Sequence, residues 1–189
     1  TITVNPLPTV TAGSYGPVCI DAADITLGGT PTGGIWSGTG VTGNLFDPSV
    51  GTQTLTYTVT DANLCVNSAQ TTITVNPLPT VNPGTYGPVC IDGADITLTG
   101  SPEGGVWSGT GVSGNLFDPS VGTQTLTYTV TDANLCVNSP QTTITVNPLP
   151  TVNAGTYGPV CIYGADIHLG CNPTGGLWSG AGNTGNRVA

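Results

Sequence analysis

The sequence predicts an all-β protein made of tandem small sandwiches, on three observations: a long internal repeat, stretches that alternate with a period of two, and dense punctuation by glycine and proline. The repeat has a period of 71 residues, and residues 1–71 and 72–142 differ at only ten positions. Cys19, Cys90 and Cys161 fall in register, as do Trp36, Trp107 and Trp178, and Tyr15, Tyr86 and Tyr157. A third copy starts at Thr143 and runs for 47 residues, so it lacks equivalents of Pro119 to Thr142. Neighbours this alike point to a rod, a spacer or a multivalent binder, because an enzyme rarely needs one small unit several times in a row.

The second copy shows the alternation. In Gln124-Thr125-Leu126-Thr127-Tyr128-Thr129-Val130-Thr131, the Leu, Tyr and Val point one way and the threonines the other, which is a half-buried strand. Thr143-Ile144-Thr145-Val146 repeats the pattern with Ile144 and Val146 inward, and Asp95–Leu98 and Gly105–Ser108 are two further short strands. Between them lie turn formers: Gly100-Ser101-Pro102-Glu103-Gly104, Gly109-Thr110-Gly111 and Ser113-Gly114-Asn115. No window carries the 3.6-residue period of an amphipathic helix, and Thr and Val favour strands. Several short strands with regular turn signals predict a sandwich.

A sandwich of about 70 residues is small, so a covalent staple would help it. Six cysteines occur, at Cys19, Cys65, Cys90, Cys136, Cys161 and Cys171. An even count in glycine-rich repeats points to disulfides and an oxidising compartment, with free buried thiols as the alternative. A metal site would need close pairs such as Cys-x-x-Cys, which are absent. Cys90–Cys136 would close a 47-residue loop within one repeat, and Cys19–Cys65 is its copy. Cys161 has no such counterpart in its own copy, which leaves Cys171, ten residues on. Asn76-Pro77-Leu78-Pro79 and Asn147-Pro148-Leu149-Pro150 follow the Ile-Thr-Val strands and read as stiff linkers. The expected division is a final strand of a preceding repeat at 1–5, repeats at 6–76 and 77–147, and an incomplete repeat at 148–189. The text opens mid-pattern and without an initiator Met, as expected of a processed chain or a piece of a longer one.

The string Cys90-Ile91, Asp95-Ile96-Thr97-Leu98-Thr99-Gly100, Gly104-Gly105-Val106-Trp107-Ser108-Gly109-Thr110-Gly111-Val112, Asn115-Leu116-Phe117-Asp118-Pro119 and Leu126-Thr127-Tyr128-Thr129-Val130-Thr131-Asp132-Ala133-Asn134-Leu135-Cys136 resembles the Ig-like repeats of large surface proteins from gliding bacteria. It is similar to repeats in the gliding-motility adhesins exported by the type IX route. The resemblance covers essentially the whole chain and implies an Ig-like sandwich used mostly as scaffolding. The family pattern commonly reads Asn-Gly-Cys after the long strand, where this chain has Asn63-Leu64-Cys65 and Asn134-Leu135-Cys136. The third copy departs further, with Tyr163 for Asp92, His168 for Thr97 and Cys171 for Gly100.

Composition removes several functions. The chain has one Arg, no Lys and ten acidic residues, for a net charge of −9. Nucleic acid and anionic membrane surfaces need a basic footprint, and no apolar run is long enough to insert into a bilayer. Trypsin has one target, the bond after Arg187. The denatured chain should therefore lose only its last two residues to pure trypsin, as mass spectrometry would read directly.

Catalytic groups are sparse. His168, the only histidine, is absent from the first two copies and falls at an outward strand position, with no oriented nucleophile. Asp21 with Asp24, Asp92 with Asp95, and Asp61 and Asp132 read as loop and strand-end residues. A weak calcium site on the paired aspartates stays open, although no Asp-x-Asp-x-Asp run exists. No other cofactor is expected. The three tryptophans read as core, with sugar stacking as the alternative. The outward threonines leave O-linked sugar open. The expectation is a non-enzymatic structural stalk or filament of an extracellular, cell-surface adhesin. Its partners would be neighbouring copies of the repeat or chain in a fibre, by strand donation or otherwise. The alternative is a multivalent carbohydrate-binding or cell-adhesive module that engages surface glycans.

Overall fold

A computed structural model describes residues 2–161 and 163–181, together with the backbone of 187–188. The fold is all-β. The first repeat carries β1 (Val18–Cys19), β2 (Ile25–Thr26), β3 (Ile35–Ser37), β4 (Val41–Thr42), β5 (Leu45–Phe46), β6 (Gln53–Thr60), β7 (Val66–Ile73) and β8 (Val75–Asn76). The second carries β9 (Val89–Cys90), β10 (Ile96–Thr97), β11 (Val106–Ser108), β12 (Val112–Ser113), β13 (Leu116–Phe117), β14 (Gln124–Thr131), β15 (Val137–Asn138), β16 (Gln141–Ile144) and β17 (Val146–Asn147). In the third, β18 (Ile167–His168) pairs with β19 (Arg187–Val188) in the register that β10 keeps with β13.

Each full repeat is a sandwich. In the first, the antiparallel sheet β3-β6-β7 faces the antiparallel sheet β2-β5-β4. The long strand follows its sequence pattern: Leu55, Tyr57 and Val59 of β6 are buried, and their counterparts Leu126, Tyr128 and Val130 of β14 are too. From β7 and β8 come Ile73 and Val75, and from β5 comes Phe46, which is fully enclosed. The second core is built from the same positions, and the two buried clusters share no residue.

The last strand changes sheets at one residue. β7 runs antiparallel to β6 and stops at Ile73, then β8 pairs in parallel with β1 as Val18↔Val75 and Cys19↔Asn76. Both Ile73 and Val75 stay inward. The Thr52 hydroxyl bridges the step, accepting from the Val75 N–H at 2.8 Å and donating to the Val75 carbonyl at 3.3 Å. Thr123 does the same for Val146.

One substitution between copies reshapes a strand. Ala69 pairs with Tyr57 within the continuous β7, whereas its equivalent Pro140 separates β15 from β16. Proline has no N–H to give to the ladder. Its carbonyl still accepts from the Tyr128 N–H at 3.1 Å, so pairing resumes at once beyond it.

The sequence Thr-Ile-Thr-Val occurs three times and does not behave alike. At Thr72–Val75 and Thr143–Val146 it forms paired strands with buried Ile and Val. At 2–5 it forms no strand, and Ile2 and Val4 are 95% and 87% exposed. Period-two alternation needs a partner strand to become a strand. Thr1 and Ile162 lie outside the described residues. In the third repeat, Leu169 is buried and Ile167 and Trp178 are half-buried.

Candidate functional site

The residues of greatest functional interest are the cysteines, and β1 and the β6–β7 hairpin place them at opposite poles of a repeat. Cys19 ends β1 and lies beside Asn76, where the chain leaves the first repeat. Cys65 sits at the tip of the β6–β7 hairpin. There Asn67 donates from Nδ2 to the Pro8 carbonyl, so this tip marks the pole where the chain comes in. The tip is an Asx turn: the Asp61 carboxylate accepts from the N–H groups of Asn63 (2.8 Å) and Cys65 (2.9 Å). Asp132 holds Asn134 and Cys136 in the same way.

This geometry corrects the expected pairing within repeats. From Cys65 to Asn76 the chain runs eleven residues along β7 and β8. At about 3.3 Å per residue that is roughly 30 Å or more, whereas a disulfide needs Cα atoms within about 7 Å. The bond present instead is Cys19–Cys136, with Cα atoms 5.5 Å apart. It joins the trailing pole of the first repeat to the leading pole of the second, where Asn138 caps the Pro79 carbonyl. Cys65, Cys90, Cys161 and Cys171 are free thiols, so neither Cys90–Cys136 nor Cys19–Cys65 forms, and Cys161 is not joined to Cys171.

The hairpin tip carries a second unusual feature. Leu64 and Leu135 have φ of 63° and 65°, in the left-handed region, and are 81% and 79% exposed. A leucine there pays steric strain that glycine does not. Leu64→Gly should therefore stabilise the first repeat by about 0.5–1 kcal/mol, after allowing for the freer unfolded chain. A higher midpoint in urea unfolding would register it.

The tryptophans form the second candidate. Trp36 lies between Tyr57 (ring centroids 4.9 Å apart) and Tyr15 (6.3 Å), and Trp107 lies between Tyr128 and Tyr86 in the same way. Both indoles are only 7% exposed, which places these two in the core. The tyrosine hydroxyls clasp the turns. Tyr57 accepts from the Gly34 N–H at 2.8 Å and donates to the Pro31 carbonyl at 2.7 Å; Tyr128 does likewise with Gly105 and Pro102. Tyr15 closes on Gly28, and Tyr86 on Thr99.

Glycine is required where the ring of Tyr57 or Tyr128 presses on the backbone. A Cβ on Gly29 would lie 2.2 Å from the Tyr57 ring, and one on Gly100 2.3 Å from Tyr128. The third repeat carries Cys171 at this position. A strand completing that repeat as β14 completes the second would have to omit the tyrosine.

Beside each Trp lies an open hollow. Those of the first two repeats, about 220 and 280 Å³, are lined by the glycine turn, Trp36 or Trp107, and Tyr57 or Tyr128; one of about 360 Å³ lies beside Trp178. Its rim residue varies from Thr32 to Glu103 to Thr174. The tyrosine hydroxyls at Tyr57 and Tyr128 already hold two partners each, so they offer little to a ligand.

The remaining candidates are dispersed. Asp21, Asp24, Asp92 and Asp95 are exposed, and among the described residues no group of three or more His, Cys, Asp or Glu could hold a metal. Asp47 and Asp118 cap the 3-10 turns Pro48–Val50 and Pro119–Val121. The Ser49 and Ser120 side chains, followed by their backbone N–H groups, hold the two carboxyls below the usual carboxylate range. His168 is exposed on β18. Among the described residues no helix is long and apolar enough to cross a membrane. No protein-family model matches the chain, and no curated protein matches it.

Proposed function

We propose that this chain is a structural repeat region, the stalk or filament of an extracellular bacterial surface adhesin, and that it is not an enzyme. The observation that carries this reading is the Cys19–Cys136 bond. It ties the trailing pole of one repeat to the leading pole of the next, which is what a load-bearing array requires and a catalytic site does not. The bond also suits an oxidising setting outside the cytoplasm. The separate cores and the proline-rich segments between them fit repeats set in line, as in the surface repeats of gliding bacteria that the sequence resembles. Small-angle scattering of the intact chain should give an elongated particle. A compact globule of packed lobes would refute the reading.

A second reading, a multivalent carbohydrate-binding module, draws on the hollow beside each tryptophan. Binding to a glycan array that is lost in Glu103→Ala would favour it, while uniform silence across the array leaves the stalk.

A further inference from the structure

We propose that the open edge of β7 in the first repeat pairs with the same edge of a second copy of this chain, antiparallel and about a two-fold axis, so that two β3-β6-β7 sheets become one continuous sheet. The inference deepens the stalk reading and rests on it, because it sets such stalks side by side.

β7 is the last strand of its sheet and runs unbroken for eight residues, Val66–Ile73. In an antiparallel pair the backbone groups of successive residues turn alternately toward the partner strand and away from it. The Pro140 carbonyl accepts from the Tyr128 N–H in the second repeat. Its equivalent Ala69, opposite Tyr57, therefore faces β6, and Ser68, Gln70 and Thr72 turn their N–H and C=O groups away from it. Two residues beyond Thr72, that same side of the chain does take a strand: the Thr74 carbonyl accepts from the Val18 N–H at 3.1 Å, beside β1. Ahead of that point the side is bare. The Ser68 N–H turns back to the Asn67 side chain at 2.9 Å. Among the described residues, no hydrogen bond reaches the backbone of Gln70 or Thr72 on that side. A row of unpaired backbone groups is a template for another strand. It lies along the flank of the repeat, between the hairpin tip at one pole and Asn76 at the other, so repeats before and after it leave it uncovered.

Charge selects the occupant. No residue from Ala62 to Ile91 is charged, in a chain of net charge −9. Two copies repel one another elsewhere and can approach along this edge, while an acidic or basic strand would find nothing here to pair with. With the two edges antiparallel, the nearest acids, one Asp61 from each copy, fall at opposite ends of the contact. The edge is also self-complementary, because each outward residue presents a donor and an acceptor, and a turned copy meets them in the reverse order on both chains at once. Val66, 54% exposed, gains cover in the pair. The second repeat lacks this surface. Residues 139–140 carry no strand there, and Pro140 splits the edge into β15 and β16. Pairing is thereby confined to the first repeat and closes as a dimer.

The test uses the full chain with Cys65, Cys90, Cys161 and Cys171 changed to serine, so that association is non-covalent. Sedimentation velocity over a concentration series should show monomers in exchange with dimers and nothing larger. Gln70→Pro removes an N–H that faces away from β6, which an edge strand tolerates, so the variant should melt like its parent. The two-fold axis doubles the loss, and dimerisation should weaken at least about tenfold. Gln70→Lys keeps the N–H but places a positive charge on both edges, and should weaken the dimer most at low salt. Gln141→Pro, the same change in the second repeat, should leave the dimer intact. Pro140→Ala restores to the second repeat the residue of the first, and should yield species beyond the dimer. A chain that is monomeric at every concentration overturns the proposal, as does a dimer indifferent to both Gln70 variants or equally sensitive to Gln141→Pro. A monomer that captures a synthetic peptide of residues 66–73 would assign the edge to a strand from elsewhere, and overturns it too. Scattering on the Gln70→Pro monomer judges the stalk reading separately, so an elongated chain that never dimerises sinks this inference and leaves that one standing.

Discussion

Replacing Cys19 with serine should strongly lower the stability of the first two repeats, while replacing Cys65 should leave it almost unchanged. The Cys19–Cys136 bond spans 117 residues. In the chain-entropy model a loop of that length restricts the unfolded state by about 5 kcal/mol, an upper figure because each repeat also folds around its own core. A domain of about 70 residues has only some 4–10 kcal/mol in hand. Loss of the bond should therefore shift the denaturant midpoint markedly and let the two repeats unfold independently. Cys136→Ser should match Cys19→Ser. The control discriminates sharply, since pairing within the repeat would make Cys65→Ser as harmful as Cys19→Ser. Equal midpoints for the native chain and Cys19→Ser would show that the bond contributes nothing.

The second large effect concerns glycines, and it inverts the usual ranking. Gly114 has φ of 62° with open space around it, whereas the Cβ position at Gly100 is occupied by the Tyr128 ring. Gly114→Ala should cost about 1–2 kcal/mol through backbone strain alone. Gly100→Ala should cost about 3 kcal/mol or more, at the upper end of overpacking. The ring cannot retreat easily, because its hydroxyl is held by Gly105 and Pro102 and its face by Trp107. Thermal melts of the two variants would compare them directly. The double change Gly100→Ala with Tyr128→Leu should recover part of the loss, and no recovery would mean the clash lies elsewhere.

The long strand was fully legible in the sequence because Leu126, Tyr128 and Val130 alternate with threonine on a strand that has one buried face. β7 was not, apart from its last residues. Val66-Asn67-Ser68-Ala69-Gln70-Thr71 is an edge strand with mostly polar side chains on both faces, so no period shows. Phe46 and Phe117 lie fully buried in two-residue strands too short to show any alternation. The cysteine pairing failed for a different reason. Loop length within a repeat gave a plausible partner, but parallel pairing of β1 with β8 is non-local and sets the pole at which Cys19 sits. The eleven residues from Cys65 to Asn76 exclude the pair only once they are known to be extended and Asn76 is known to lie beside Cys19. The tyrosine clasps were likewise hidden, since their partners are backbone groups of turns 23 to 26 residues away.

The inter-repeat bond also changes how the chain would carry a pull applied to its two ends. Tension reaching Cys19 passes through the sulfurs to Cys136 and leaves along β15 and β16, so residues 20–135 lie in a closed loop outside the line of force. Most of both repeats is thereby shielded: even if their cores came apart, that loop could not lengthen the molecule. At about 3.4 Å per residue, roughly 400 Å of slack is withheld. The molecule would act under load as a short strap, with each repeat serving as a folded boss that keeps its fastening aligned.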